Sequence, residues 1–173
     1  MDRLSRKKLI ERAVSGDTEA FSKLYEQIYK QLYYYALANL RNTEDAADAV
    51  QDAVLDGFAG IKTLRDWRAF DSWLFAILVA KIKQKKKENA ERLACRDSVQ
   101  NIDAVIKDTH EYERCEIVEE FAGLKEEERL CLTLSLIAGC RPKQISEITG
   151  INQSTVRSHI SRGKKKLRKG LSE

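Results

Sequence analysis

The chain has 173 residues, 43% hydrophobic and 34% charged, with a formal net charge of +4. That composition can bury the core of one ordinary domain or two small ones, which excludes a disordered tail. One proline and eight glycines are too few for the turns of a multi-stranded fold, and no apolar run approaches the roughly 20 residues of a membrane span.

The basic stretch Met1 to Lys8 leads into no signal-like apolar segment. The expectation is a cytoplasmic, all-α protein. Leu4, Leu9 and Ile10 predict a short first helix that stops near Ser15-Gly16-Asp17. Asp17 or Thr18 can cap a second helix carrying Phe21, Leu24, Ile28, Leu32, Tyr35 and Leu40. Asn42-Thr43 opens a third, to about Phe58, with Ala47, Val50, Val54 and Phe58 on its expected apolar face. Asp45, Asp48, Asp52 and Asp56 recur at spacings of 3, 4 and 4 and form an acidic stripe on another face.

After a break from Gly57 to Asp66 comes an aromatic helix with Trp67, Phe70, Trp73, Phe75, Ile77 and Leu78. It runs into Lys81, Lys83, Lys85, Lys86 and Lys87. Aromatic rings beside a basic stripe can hold unstacked bases, as single strands are held. Packing into a core is the competing use of the same rings, and Trp73 with Leu74 fits it. From Glu88 to His110 the periodicity weakens and a linker, helical in part, is expected. Helical spacing resumes at Glu111 with Ile117, Phe121 and Leu124, then Leu130, Leu132, Leu134 and Ile137.

Pro142 to Leu167 is the most specific stretch. Proline suits the first turn of a helix, where its missing N–H has no partner anyway. Ile145 and Ile148 point a short helix inward, Gly150 supplies a left-handed exit, and Asn152 can cap the next helix. Ile151 and Val156 are placed as a hydrophobic staple. Gln153, Ser154, Thr155, Arg157, Ser158, Ser161 and Arg162 then project outward, followed by Lys164, Lys165, Lys166, Arg168 and Lys169. This is a helix-turn-helix: polar side chains at the start of its second helix can reach base edges, and the lysines can grip phosphates.

Cys95, Cys115, Cys131 and Cys140 form no CxxC or CxxH pair, so no metal site or cofactor is expected. In a cytosolic chain they read as free thiols.

The whole pattern resembles the extracytoplasmic-function group of the sigma-70 family of bacterial sigma factors. The residues that carry the resemblance are Gly16-Asp17-x-x-Ala20-Phe21-x-x-Leu24-Tyr25, Asp45-Ala46-x-Asp48-x-Val50-Gln51-Asp52 and Phe70-x-x-Trp73-Leu74-Phe75-x-Ile77. In the second half they are Gln144-Ile145-Ser146-Glu147-Ile148-x-Gly150-Ile151 and Thr155-Val156-Arg157-Ser158, closed by the basic run Arg162 to Arg168. The resemblance implies two small helical domains, residues 1–88 and 111–173, joined by a linker over 89–110. It implies a non-enzymatic factor that binds core RNA polymerase, recognises a promoter and helps melt it. The implied polymerase-docking residues are Asp45, Asp48, Gln51 and Asp52, facing the clamp helices of the beta-prime subunit. Trp67, Phe70, Lys81, Lys83 and Lys85 are expected on the melted minus-ten strand. The second domain is expected to read the minus-thirty-five element and to contact the beta flap, and many relatives have an anti-sigma partner.

Three positions depart from the family pattern. Val79 and Ala80 stand where an Asn, often after an Arg, is usual; Arg141 replaces a Ser or Thr cap; and Gly163 interrupts the basic helix.

A stand-alone helix-turn-helix regulator is the nearest alternative. It leaves the acidic stripe and the aromatic–basic helix without a use. A nuclease holding magnesium on Asp45, Asp48 and Asp52 is a second, but two-metal sites draw carboxylates from several elements. A protein-binding adaptor without DNA affinity is a third.

Overall fold

The computed structural model describes residues 3–97, 121 and 123–170. Among them every regular element is helical. Arg3–Val14 (α1), Thr18–Leu40 (α2), Thr43–Gly60 (α3) and Phe70–Asp97 (α4) build the first domain. Two 3₁₀ turns, Ile61–Thr63 and Trp67–Ala69, lie between α3 and α4. Glu126–Leu136 (α5), Pro142–Thr149 (α6) and Gln153–Gly170 (α7) build the second.

The boundaries follow local chemistry. The Ala20 amide donates to Asp17 Oδ1 at 3.0 Å, and the Asp45 amide donates to Asn42 Oδ1 at 2.8 Å. Each satisfies one of the amides that a helix start leaves open. Arg41 closes α2 in the left-handed region, with φ 56°.

α2 is the axis of the first domain. Its buried face presents Phe21, Leu24, Ile28, Leu32 and Tyr35 to α3 and α4. α1 lies on α2 through Ile10 and Ala13 and also touches both 3₁₀ turns. An ion pair from Arg6 to Asp71 ties α1 to the start of α4.

One expectation is corrected here. The core face of α3 is Ala46, Ala49, Val50, Ala53 and Gly57, whereas Ala47 and Phe58 are exposed and Val54 is half-buried. Of the expected stripe, Val50 is core and Val54 packs at its edge, while Ala47 and Phe58 stay mostly open. Small residues occupy the true core face because α4 comes close: a Cβ on Gly57 would stand 2.7 Å from Leu74 Cδ1. α4 continues to Asp97, so the linker expected to be helical in part begins as helix. The rest of that linker, and the predicted helix from Glu111, lie outside the described residues up to Phe121.

The second domain packs on the first: α5 lies against α2, and α6 against α4. Asn39 Nδ2 donates to Thr133 Oγ1 at 3.2 Å within this buried seam, and Lys86 pairs with Glu126 at 2.6 Å at its edge.

A candidate promoter and polymerase interface

The turn before α7 is built as the sequence implies. Gly150 has φ 77°, and its amide bonds back to the Ser146 carbonyl at 2.9 Å. Asn152 Oδ1 accepts from the Ser154 amide and from the Ser154 hydroxyl, both at 2.9 Å. Val156 and Ile160 are buried, while Ser154, Thr155, Arg157, Ser158, Ser161 and Arg162 are exposed and Gln153 is half-buried. Seven candidate base-facing residues thus lie along one open face. Arg141 makes no side-chain cap to α6, and its own amide donates to Gln144 Oε1 at 2.9 Å.

The basic run divides. Lys164 and Lys165 are exposed and form no ion pair among the described residues. Lys166 reaches back to Glu128 Oε2 at 2.6 Å, and the Glu128 side chain is only 4% exposed. That bond is the main reason the Glu128 carboxyl sits below its ordinary value. Lys166 therefore ties α7 to α5, which takes up one of the bonds its ammonium could give a phosphate. Gly163 is explained by the same contact: a Cβ there would lie 2.8 Å from Leu132 Cδ2. A side chain at this position would push Leu132 out of its packed place.

A groove of about 350 Å³ opens between α2 and α3, lined by Tyr25, Tyr29, Ala47, Val50, Gln51, Val54 and Leu55. Leu55 is 60% exposed. Tyr25 and Tyr29 meet edge to face at 5.5 Å, and Tyr29 stacks on Tyr33 at 6.2 Å. Of the expected docking residues, Gln51 lines the groove, and Asp48 and Asp52 are exposed on the same helix. Asp45 is half-buried, accepts from Asn89 Nδ2 at 2.8 Å and lies 3.8 Å from Lys85. Its role is to hold α4 against α3.

The aromatic loop is also only partly as expected. Phe70 is 1% exposed and packs edge to face on Phe21 at 6.4 Å. It is core, and the expectation that it stacks on a base is corrected. Trp67 is half-buried, with the Arg3 and Arg68 guanidinium carbons 5.6 and 5.7 Å from its ring centroid. Trp73 is half-buried and leans on Gly57 and Gly60. Lys83 is exposed, whereas Lys81 pairs with Asp56 at 2.6 Å and Lys85 with Asp48 at 3.2 Å. Those hydrogen bonds hold both ammonium groups above their ordinary pKa. Val79 is buried beside them and Ala80 is exposed, so neither supplies a polar side chain.

Sequence reasoning missed Lys62, Arg65 and Arg68, exposed at spacings of three along the loop, and Arg3, brought to it by α1. It also missed Tyr29 and Leu55. The every-third basic spacing was a readable signal; the arrival of Arg3 was not. Asp45 and Asp48 face Lys85, and among the described residues no group of three or more His, Cys, Asp or Glu side chains is placed to hold a metal. Cys131 and Cys140 are buried free thiols, each pushed up to about 11 by burial.

Comparison with known proteins gives the class. The family model described as Sigma-70 region 2 matches residues 24–92, and that described as Sigma-70, region 4 matches residues 116–167. The chain belongs to the sigma-70 family and is a sigma factor of RNA polymerase. It is 28% identical over 165 residues to the ECF RNA polymerase sigma factor SigM of Mycobacterium tuberculosis, covering 94% of this chain and 83% of that one. It is 27% identical over 182 residues to the ECF sigma factor SigW of Bacillus subtilis, covering 95% and 96%. Within the family it is a member of the extracytoplasmic-function group. Its fold is similar to that of the sigma factor RpoE of Bartonella quintana, solved with the anti-sigma factor NepR (TM-score 0.74, 18% identity, 90% of this chain and 98% of that one). It is also similar to that of CnrH, solved with the cytosolic domain of CnrY (TM-score 0.68, 21% identity, 96% of each). No helix among the described residues is long and apolar enough to cross a membrane.

Proposed function

We propose that the chain acts in the cytoplasm, without catalysing a reaction itself, by docking on core RNA polymerase and placing it at a promoter. α3 meets the beta-prime clamp helices: the apolar groove supplies the buried centre, and Asp48 and Asp52 supply a charged rim that sets register and association rate. The loop 61–69 and the outer face of α4 hold the melted minus-ten strand. Trp67 is its aromatic element, and Lys62, Arg65, Arg68 and Lys83 meet its phosphates. α7 reads the minus-thirty-five duplex through Gln153, Thr155 and Arg157, with Lys164 and Lys165 on the backbone. The second domain also contacts the beta flap. An anti-sigma protein regulates the chain, as the partners of its solved relatives suggest. The functional units are residues 1–88 and 111–173, with the intervening segment as their connection.

The observation that carries this reading is the open groove of Tyr25, Tyr29, Val54 and Leu55 beside exposed Asp52, which forms no ion pair among the described residues. A stand-alone duplex reader has no use for it. Leu55→Asp tests the reading, because the Leu55 side chain is mostly in solvent and its loss leaves the core intact. The expected result is normal helicity and thermal melting, lost association with core polymerase, and no transcription in vitro. Full core binding by the folded variant would refute the docking face. Promoter-specific transcription that needs no added chain would refute the class of function.

A further inference from the structure

Trp67 opens the second 3₁₀ turn, half-buried, and cations from two different elements cover its ring. The Arg3 guanidinium carbon lies 5.6 Å from the ring centroid and that of Arg68 lies 5.7 Å away, both inside the roughly 6 Å reach of a cation–π contact. Arg68 belongs to the same turn as the ring, whereas Arg3 is the first residue of α1. Its arrival is built into the fold. α1 buries Ile10 and Ala13, pairs Arg6 with Asp71 at the start of α4, and touches both 3₁₀ turns. Arg6 Nη1 also donates to Gln27 Oε1 of α2 at 3.3 Å.

The cations around this ring differ from their neighbours. Arg6, Arg12, Lys81 and Lys85 each meet a carboxylate. Arg3, Lys62, Arg65 and Arg68 are exposed and form no ion pair among the described residues. Asp66, next to the ring in the chain, uses one oxygen to accept from the Arg68 amide at 3.0 Å. Two guanidinium charges are thus held about one ring without a paired carboxylate, an arrangement that favours an anion beside them. α1 also precedes residues 24–92, the part of the chain that the region 2 family model matches, so that match assigns it no role.

We infer that α1 is part of the surface that holds the melted strand: Arg3 covers Trp67 in the free chain, yields the ring to an incoming base and turns its guanidinium to that strand's phosphate. This inference rests on the reading of loop 61–69 as the strand site and adds a residue from a different helix to it. The exchange is favourable because a base stacks on an aromatic ring more strongly than an exposed guanidinium does, and the released guanidinium gains a charge-assisted bond.

The test uses holoenzyme reconstituted from core polymerase and the full-length chain. Its ligand is a labelled promoter fragment on which the holoenzyme initiates, with the minus-ten region left single-stranded. Binding is read by fluorescence anisotropy across a salt series. Arg3→Gln should lower the slope of log K against log salt by about 0.7, the share of one single-strand phosphate contact, or about 2.6-fold less affinity lost over a fourfold rise in salt. Arg3→Lys keeps the charge and should keep the wild-type slope. Lys8→Gln removes the same charge from an exposed residue of α1 that forms no ion pair among the described residues, and should also leave the slope unchanged. Arg65→Gln, in the loop itself, should lower it. If Arg65→Gln lowers the slope and Arg3→Gln, folded by circular dichroism, does not, α1 lies outside the strand surface and the inference is overturned while the loop reading stands. Equal losses from Arg3→Gln and Lys8→Gln would overturn it too, by marking a diffuse field rather than a contact. If neither Arg65→Gln nor Arg3→Gln moves the slope, the loop reading fails and the inference falls with it.

Discussion

Gly163→Ala separates a tertiary requirement from a helix preference. In an exposed helix interior the added methyl stabilises by about 1 kcal/mol. Here the new Cβ would stand 2.8 Å from Leu132 Cδ2 and 3.5 Å from its Cβ, and Leu132 is fully enclosed. Forcing a methyl into a packed seam costs about 1–3 kcal/mol. The difference is a net destabilisation of up to about 2 kcal/mol. Urea unfolding followed by circular dichroism reads this directly, and duplex affinity should fall as well, because α7 must move off α5. The second half of the cycle uses Leu132→Ala, which alone costs about 2–5 kcal/mol. In that background the seam has room, and Gly163→Ala should stabilise by about 1 kcal/mol. The sign change is the diagnostic. Stabilisation by Gly163→Ala in the wild-type background would refute the argument that close approach, rather than backbone freedom, requires glycine there.

Two further outcomes follow from the same domain. The Glu128 carboxyl lies below its ordinary 4.5, chiefly through its bond to Lys166. A depressed carboxyl adds stability that is fully present above the unfolded value and is lost as pH falls through the folded one. Glu128→Gln should therefore lower stability at neutral pH by about 1 kcal/mol, a figure kept small because the Lys166 ammonium is open to solvent, and should flatten the loss below pH 4.5. Parallel acid-unfolding profiles for variant and wild type would contradict this. At the duplex, Arg157→Ala should change base preference at one position at a cost of about 1–3 kcal/mol, while Lys165→Ala should weaken all sequences alike and reduce the salt slope by about 1. A binding-site selection that returns one consensus for wild type and Arg157→Ala would remove Arg157 from base reading.

The amino-acid order by itself determined the features whose causes are local. Asp17, Asn42 and Asn152 cap helices because a short polar side chain reaches an amide two or three residues on, and no other part of the protein is needed. Gly150 ends α6 for an equally local reason, and the polar face of Gln153 to Arg162 follows from period alone. Periodicity shows that a helix carries stripes but not which stripe meets a neighbour. α3 has two, and only the approach of α4, close enough to exclude a side chain at Gly57, decided that the alanine face is core and the Val54–Leu55 face is open. The lysines of α4 looked equivalent in sequence, yet Lys81 and Lys85 meet acids one helix away, Lys86 meets Glu126 of the second domain, and Lys83 meets no acid among the described residues. Phe70 and Trp67 are three residues apart, and one is core and the other a partly open ring between two arginines. Charge and aromaticity are properties of a residue, but availability depends on what packs beside it. Those neighbours lie tens of residues away in the chain, and only the tertiary fold brings them together.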